Sequence, residues 1–351
     1  MNALVLHGDY DLRYEAFPEP LMKPGHVKVH VAACGVCGSD IPRITQNKAH
    51  YYPIVLGHEF SGIVDEVGDG VADLQKGDHV VAVPLIPCMK CPDCLKGNYS
   101  QCKHYSFIGS RVPGGFAEYV VLPAINVVKI DRGIPLNYAA LFEPATVALH
   151  GLRLSNYKGG KRVAVLGGGT IGLFALQWAR IFGAASVMVF GRDKEHLKVA
   201  KRLGADAVIS TLDEDFMDAA MEQTDGEGFD YVFETAGSAM TMKLCFQLAA
   251  NHASVCMIGT PTGNVAFTWK EWEQMNRKEF TLTGSWMSGN APFPGDEWTL
   301  TNHCFSSGLL KYDEGFFHCK IPFRHPEKVI EQLRDRSKIK GRILLINEIQ
   351  E

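Results

Sequence analysis

Four thiols crowd one short segment, Cys88-x2-Cys91-x2-Cys94-x7-Cys102. That spacing suits one tetrahedral zinc ion, and four thiolates saturate it, so the expected ion is structural rather than catalytic. An iron–sulfur cluster is the chemical rival, because Cys-x2-Cys-x2-Cys also opens bacterial ferredoxin motifs, but the fourth spacing and the place of the following proline do not fit. A second set of ligand types is dispersed: Cys37 in CGVCGSD, His58 and Glu59 in GHEFSG, and Glu143 in LFEPATVALH. A thiolate, an imidazole and a carboxylate are the donors of a zinc that keeps one position open for water or substrate. Spacing alone leaves the same residues equally readable as structural.

A third feature is Gly167-Gly168-Gly169-Thr170-Ile171-Gly172, a G-x-G-x-x-G hexad directly after an apolar run and directly before a helix-length segment. In that setting Gly167 permits the tight turn, Gly169 lets the backbone approach a pyrophosphate, and Gly172 lets helix pack on strand. Thr170 and Ile171 open the helix, whose unpaired N–H groups suit phosphate. About 20 residues further on, an NAD binder presents a carboxylate to the adenosine ribose. VMVFGRDKEH instead brings Gly191 and Arg192 to that place. A guanidinium can clasp a 2′-phosphate in a forked geometry, so NADP is expected in preference to NAD. Asp193 is the complication, since a shift of one residue in the strand end would bring its carboxylate to the ribose.

These groups need two kinds of scaffold. From the start to about residue 145 the chain reads as short β-branched runs between glycine and proline turns, among them VKVHVAACG, GDHVVAVP and GGFAEYVVLP. From about residue 160 strands alternate with helix-length segments: RVAVLGGG, Thr170 to Phe182, SVMVF, Lys194 to Leu203, DAVIS, DYVFETAG, SVCMIGT, FTLTGS. That alternation predicts an α/β protein in which a parallel sheet is wound on both faces. The expected organisation is a β-rich catalytic domain over 1–150, a dinucleotide-binding domain over 151–288, and a return to the first domain over 289–351, with the main boundary near Tyr157 to Gly160.

A net charge of −4 on 351 residues, with both signs interspersed, gives no electrostatic reason to expect a nucleic-acid partner or an anionic membrane surface. The first residues lack a signal-peptide pattern and no apolar run approaches membrane-helix length, so the expectation is a cytoplasmic protein with no membrane partner. Cys245, Cys256, Cys304 and Cys319 read as small buried hydrophobes.

Taken together, Gly57-His58-Glu59-x2-Gly62-x5-Gly68-x2-Val71, CGVCGSD, the four-cysteine lobe, GGFAEY and GGGTIG resemble, in order, the motifs of the zinc-containing medium-chain dehydrogenase/reductase family. Glu143 followed by Pro144 is similar to its polyol dehydrogenase branch. CGSDIPRI, AHYYPIVLGHEFSG, CPDCLKGNYSQC, YSFIGSR and GSWM resemble the members that oxidise a sugar-alcohol phosphate of the galactitol 1-phosphate type.

The resemblance implies a GroES-like catalytic domain, a Rossmann domain and an active site in the cleft. It implies two zinc ions per chain, the catalytic one on Cys37, His58 and Glu143 with Glu59 as alternative or exchanging ligand, and Ser39 as the hydroxyl that relays the substrate proton. Many relatives carry a histidine three residues after that serine; here Pro42 stands there and cannot carry a proton. The implied reaction moves hydride between a secondary alcohol and the nicotinamide, giving a ketose phosphate. A phosphorylated substrate needs cationic partners, for which Arg43 and Arg111 are candidates and His50 a weaker one, while Tyr51, Phe107 and Trp286 are candidates to line the pocket. Alternatives are a dehydrogenase of free polyols such as sorbitol or xylitol, or a non-catalytic nucleotide-binding relative. The assembly implied is a homodimer or homotetramer, through the SVCMIGT to FTLTGS region.

Overall fold

The computed structural model describes residues 1–348 and divides into two compact units. One comprises Met1–Glu143, Ser288–Ser307 and Phe317–Glu351; the other comprises Pro144–Met287 and Gly308–Phe316. The first break falls inside the helix Phe142–Leu154, ahead of the Tyr157 to Gly160 turn. Gly308–Phe316 joins the second unit because Phe316 stacks on Phe174 at 4.7 Å, Gln177 accepts from the Lys311 N–H at 2.7 Å, and Arg202 grips Asp313 at 2.7 and 2.9 Å.

The first unit is built on a seven-stranded sheet. Its central strand, His26–Val36, alternates as a half-buried strand should: Val27, Val29 and Val31 face the core, Lys28 and His30 face away. It pairs antiparallel with Glu59–Val67, Tyr119–Pro123 and Arg342–Ile346, so the chain's last strand reinforces its third. Leu4, Leu6, Phe60, Phe116 and Leu345 belong to the core beneath.

The second unit carries a six-stranded parallel sheet in the order Ala207–Ser210, Ser186–Gly191, Arg162–Leu166, Phe229–Glu234, Ala249–Met257, Thr281–Gly284. Its inner strands are apolar along their length, with Val163 to Leu166 and Val187, Val189 and Val232 fully buried, as a sheet covered on both faces requires. The sheet winds outward in both directions from Arg162–Leu166, which makes the end of that strand the topological switch point where such sheets take ligands. Cys245, Cys256 and Cys304 are buried, as their apolar surroundings suggest, whereas Cys319 is only partly so, because it lies on the strand Phe317–Pro322 at the sheet margin. Among the described residues no helix is long and apolar enough to cross a membrane.

Candidate active site

Strand register assembles the dispersed ligand set. Gly35 lies opposite Glu59 and Cys34 opposite Phe60, so the residue leaving the first strand, Cys37, meets the residue entering the second, His58. The ligating atoms of Cys37, His58 and Glu59 all lie within 4.8 Å of one another. On the other flank Ile343 pairs with Val36, and Arg342 Nη2 reaches Glu59 Oε1 at 2.8 Å. The two side chains meet across Gly35, where an added Cβ would stand 2.5 Å from Glu59 Oε2. Only glycine leaves room for that approach. Glu59 is 1% exposed and its Oε2 has no hydrogen-bond partner among the described residues. A buried carboxylate oxygen left bare beside a thiol and an imidazole fits a zinc ion.

Asp40, fully buried, ties this set together. Its Oδ2 accepts from the Cys37 N–H at 3.1 Å, while Oδ1 lies 3.7 Å from His58 Nδ1 and 3.2 Å from Arg43 Nη1. A carboxylate behind an imidazole fixes the ring so that its other nitrogen can face a metal. Burial disfavours the His58 imidazolium, but Asp40, Cys37 and Glu143 outweigh it and raise the pKa to about 10. Glu143, at the start of Phe142–Leu154, is pushed up to about 7 by burial and by Glu59, against the pull of His58 and Arg342. It thus shares the field of the site, while the carboxylate within 4.8 Å of both Cys37 and His58 is that of Glu59.

Ser39 and Arg43 are also joined. Pro42 fits the first turn of the short helix Ile41–Thr45, and that turn brings Arg43 Nη1 back to donate to Ser39 O at 2.8 Å and Ser39 Oγ at 3.1 Å. Phe107 meets the His58 ring edge-on at 5.4 Å. Arg111 lies over the Tyr105 ring at 4.4 Å and donates to its hydroxyl at 3.3 Å. His50 has its pKa lowered by burial and then by Arg111 and Arg43, so both guanidinium groups lie within electrostatic reach of an imidazole they favour as neutral. Tyr51 and Trp286 are both largely exposed, at 40% and 53%.

Sequence reasoning missed Asp40 and Arg342. Asp40 had a local signal, since an Asx carboxylate three residues after a candidate ligand can fold back on that ligand's N–H. Arg342 had none: only the pairing of the last strand with His26–Val36 brings it to Glu59.

The four clustered cysteines converge as well. Cys91 Sγ lies 3.5 Å from Cys94 Sγ and 3.9 Å from Cys102 Sγ, and Cys88 Sγ is 4.0 Å from Cys94 Sγ. Tetrahedral thiolates around zinc stand about 3.8 Å apart. Backbone amides, that of Cys94 foremost, lower the Cys91 pKa to about 6, which favours the ligating thiolate.

In the second unit Gly167 has φ +118°, and a Cβ on Gly172 would lie 1.8 Å from Gly167 O. The helix Thr170–Ile181 begins without a side-chain cap, leaving its first amides for an anion, so this cradle fits a dinucleotide pyrophosphate. Gly191 ends the strand Ser186–Gly191, and Arg192 after it is exposed, with no ion pair among the described residues. Asp193 Oδ1 accepts from the His196 N–H at 2.9 Å and caps the helix Lys194–Arg202.

Two clusters of residues that could each hold a metal ion and a glycine-rich cradle, on a GroES-like and a Rossmann scaffold, define a class, and family comparison agrees. The chain matches the alcohol dehydrogenase GroES-like domain over residues 23–132 and the zinc-binding dehydrogenase domain over 170–301. It belongs to the zinc-type medium-chain dehydrogenase family and is of its alcohol and polyol dehydrogenase type. Among particular relatives, it is 42% identical to galactitol 1-phosphate 5-dehydrogenase of Escherichia coli K12 over 91% of this chain and 92% of that one. The crystal structure of galactitol-1-phosphate dehydrogenase from Escherichia coli superposes with a TM-score of 0.92 at 39% identity, covering 99% of this chain and 100% of that one. A zinc-binding dehydrogenase from Sinorhizobium meliloti 1021, solved bound to NADP, superposes with a TM-score of 0.87 at 30% identity over 98% of each chain.

Proposed function

We propose that this chain transfers hydride between the secondary alcohol of a sugar-alcohol phosphate, of the galactitol 1-phosphate type, and a nicotinamide cofactor, NADP in preference to NAD, giving a ketose phosphate. The observation that carries the phosphate is Arg43 held on Ser39, next to the ligand set, with His50 within electrostatic reach of both Arg43 and Arg111. Two guanidinium groups around one imidazole suit a dianion far better than a neutral polyol. The 42% identity to a galactitol 1-phosphate 5-dehydrogenase supports the same substrate class.

Cys37, His58 and Glu59 would hold the catalytic zinc, with Glu143 close enough in charge to exchange with Glu59, and Cys88, Cys91, Cys94 and Cys102 the structural one. When bound, the zinc supplies Lewis acidity toward a hydroxyl or carbonyl oxygen and the dinucleotide supplies the two-electron acceptor or donor. Asp40 keeps the His58 ring oriented and the Cys37 amide turned inward. Ser39 Oγ accepts the substrate proton and passes it on; with Pro42 in the place of a histidine, the next acceptor is water or a ribose hydroxyl. Arg43 donates to Ser39 Oγ and fixes that oxygen's position. Phe107 closes an apolar wall over His58.

Gly191 and Arg192 support NADP: no carboxylate repels a 2′-phosphate there, and Asp193 is engaged as a helix cap. The expected assembly is a homodimer or homotetramer, for which the exposed edge strand Thr281–Gly284 offers unpaired backbone groups.

The test is a panel of galactitol 1-phosphate, galactitol, sorbitol and xylitol against both oxidised cofactors, with Arg192→Gly run beside the parent chain. The phosphorylated substrate with NADP should give the highest kcat/KM, and Arg192→Gly should lose about 10- to 100-fold with NADP and little with NAD. Equal efficiency with and without the phosphate would favour the free-polyol reading. Preference for NAD would overturn the cofactor assignment.

A further inference from the structure

Glu234, within DYVFETAG, is a fully buried carboxylate in the core of the second unit. It is the last residue of Phe229–Glu234, and register places it opposite Leu166 on one side and Met257 on the other. Leu166 is the residue that leads into the glycine turn. The carboxylate therefore sits at the C-terminal end of the sheet, among the loops that follow three adjacent strands.

Its bonds reach two of those loops directly. Oε1 accepts from the Ala236 N–H at 3.0 Å, the Gly237 N–H at 2.9 Å and the Thr241 hydroxyl at 2.7 Å, and so holds the turn from Thr235 to Ser238. The backbone oxygen of Glu234 accepts from the Ile258 and Gly259 amides at 2.9 and 3.0 Å, which fixes the start of the neighbouring loop. Gly237 O then accepts from the Thr262 N–H at 3.2 Å and couples the two loops. The third connection runs through Thr235, whose hydroxyl donates to Leu166 O at 2.9 Å and Gly167 O at 3.3 Å, against the glycine turn itself.

An apolar side chain would fill this place more simply, but it would leave the Gly237 amide buried and unpaired and the Ala236 amide without its partner. Burial pushes the Glu234 pKa up, and the Thr241 hydroxyl with the Gly237, Ala236 and Ser238 amides pulls it back. Its second oxygen, Oε2, is buried, has no hydrogen-bond partner among the described residues, and points at Gly259, where an added Cβ would stand 2.5 Å away. A buried acid with one oxygen fully used and the other bare is costly to keep for packing alone. The loops it organises lie on the far side of the switch point from Ser186–Gly191, and in a doubly wound sheet that half receives the second mononucleotide.

We propose that Glu234 is a positioning residue for the cofactor: it sets the loops that receive the nicotinamide half of the dinucleotide. This rests on the dinucleotide reading of Gly167 to Gly172. The adenosine half, served by Gly191 and Arg192, lies outside its reach.

Binding titrations without substrate separate the two halves, with NADPH and NADH as whole cofactors and ADP and 2′,5′-ADP as adenosine-half probes. Glu234→Ala should weaken the preferred dinucleotide about tenfold and leave the preferred adenosine-half probe within about twofold. Glu234→Gln keeps an acceptor for both amides and Thr241, and should return affinity to within about threefold of the parent. Should Glu234→Ala not fold, Thr241→Val removes one donor and should give the same selective loss, about threefold. Equal weakening of both kinds of ligand would assign Glu234 a merely structural role, and unchanged dinucleotide affinity in the Ala and Val variants would remove it from cofactor positioning; either overturns the proposal. A parent chain that binds neither dinucleotide would instead overturn the cofactor reading on which it stands.

Discussion

Removing Arg342 tests whether the site is held together by charge. Arg342 Nη2 and Glu59 Oε1 are 2.8 Å apart, with side chains 12% and 1% exposed, and Asp40 and Glu143 add negative charge to the same field. At that separation and an effective dielectric near 20 the pair attracts by about 6 kcal/mol, and leaving one buried partner alone costs about 3–5 kcal/mol after relaxation. Arg342→Leu should therefore lower the Tm of zinc-stripped protein by about 4–7 °C. A bound zinc ion would supply the missing positive charge, so the zinc-loaded variant should lose less than about half of that. The double variant Glu59→Gln/Arg342→Leu removes both charges and should be more stable, zinc-stripped, than Arg342→Leu alone. Calorimetry of the parent, the single variant and the double variant, stripped and loaded, reads all of this. Equal losses with and without zinc, or no recovery in the double variant, would refute the electrostatic account of Glu59.

Cys94→Ser should lower zinc content from two ions per chain to one, measured by elemental analysis, and reduce Tm without lowering the affinity for dinucleotide. Zinc affinity at the Cys37–His58–Glu59 set should rise with pH: the free site holds a proton on His58 up to about pH 10, and binding must displace it. Competition with a chelator across pH 6 to 9 should show affinity rising with pH throughout; a flat profile would contradict the protonated free site.

Much of this was legible in the chain. The Cys88 to Cys102 spacing is local, so four thiols within one lobe could be foreseen to converge on one ion. The glycine hexad was legible because its turn and helix start are also local, and the strand–helix alternation carried the parallel sheet. Arg192 was legible as a residue type, but Asp193 was not separable from it until the helix Lys194–Arg202 showed its carboxylate spent on the His196 amide. Cys37, His58 and Glu59 lie in separate motifs and needed the Gly35–Glu59 register to become neighbours. Arg342 comes from the last strand and Glu234 from the middle of a sheet, and no spacing announces either, because each acts only through pairing with strands distant in sequence. Local chemistry follows from residue type and turn geometry, whereas the charge balance of a buried site is a property of which strands lie side by side, and tertiary structure alone decided that.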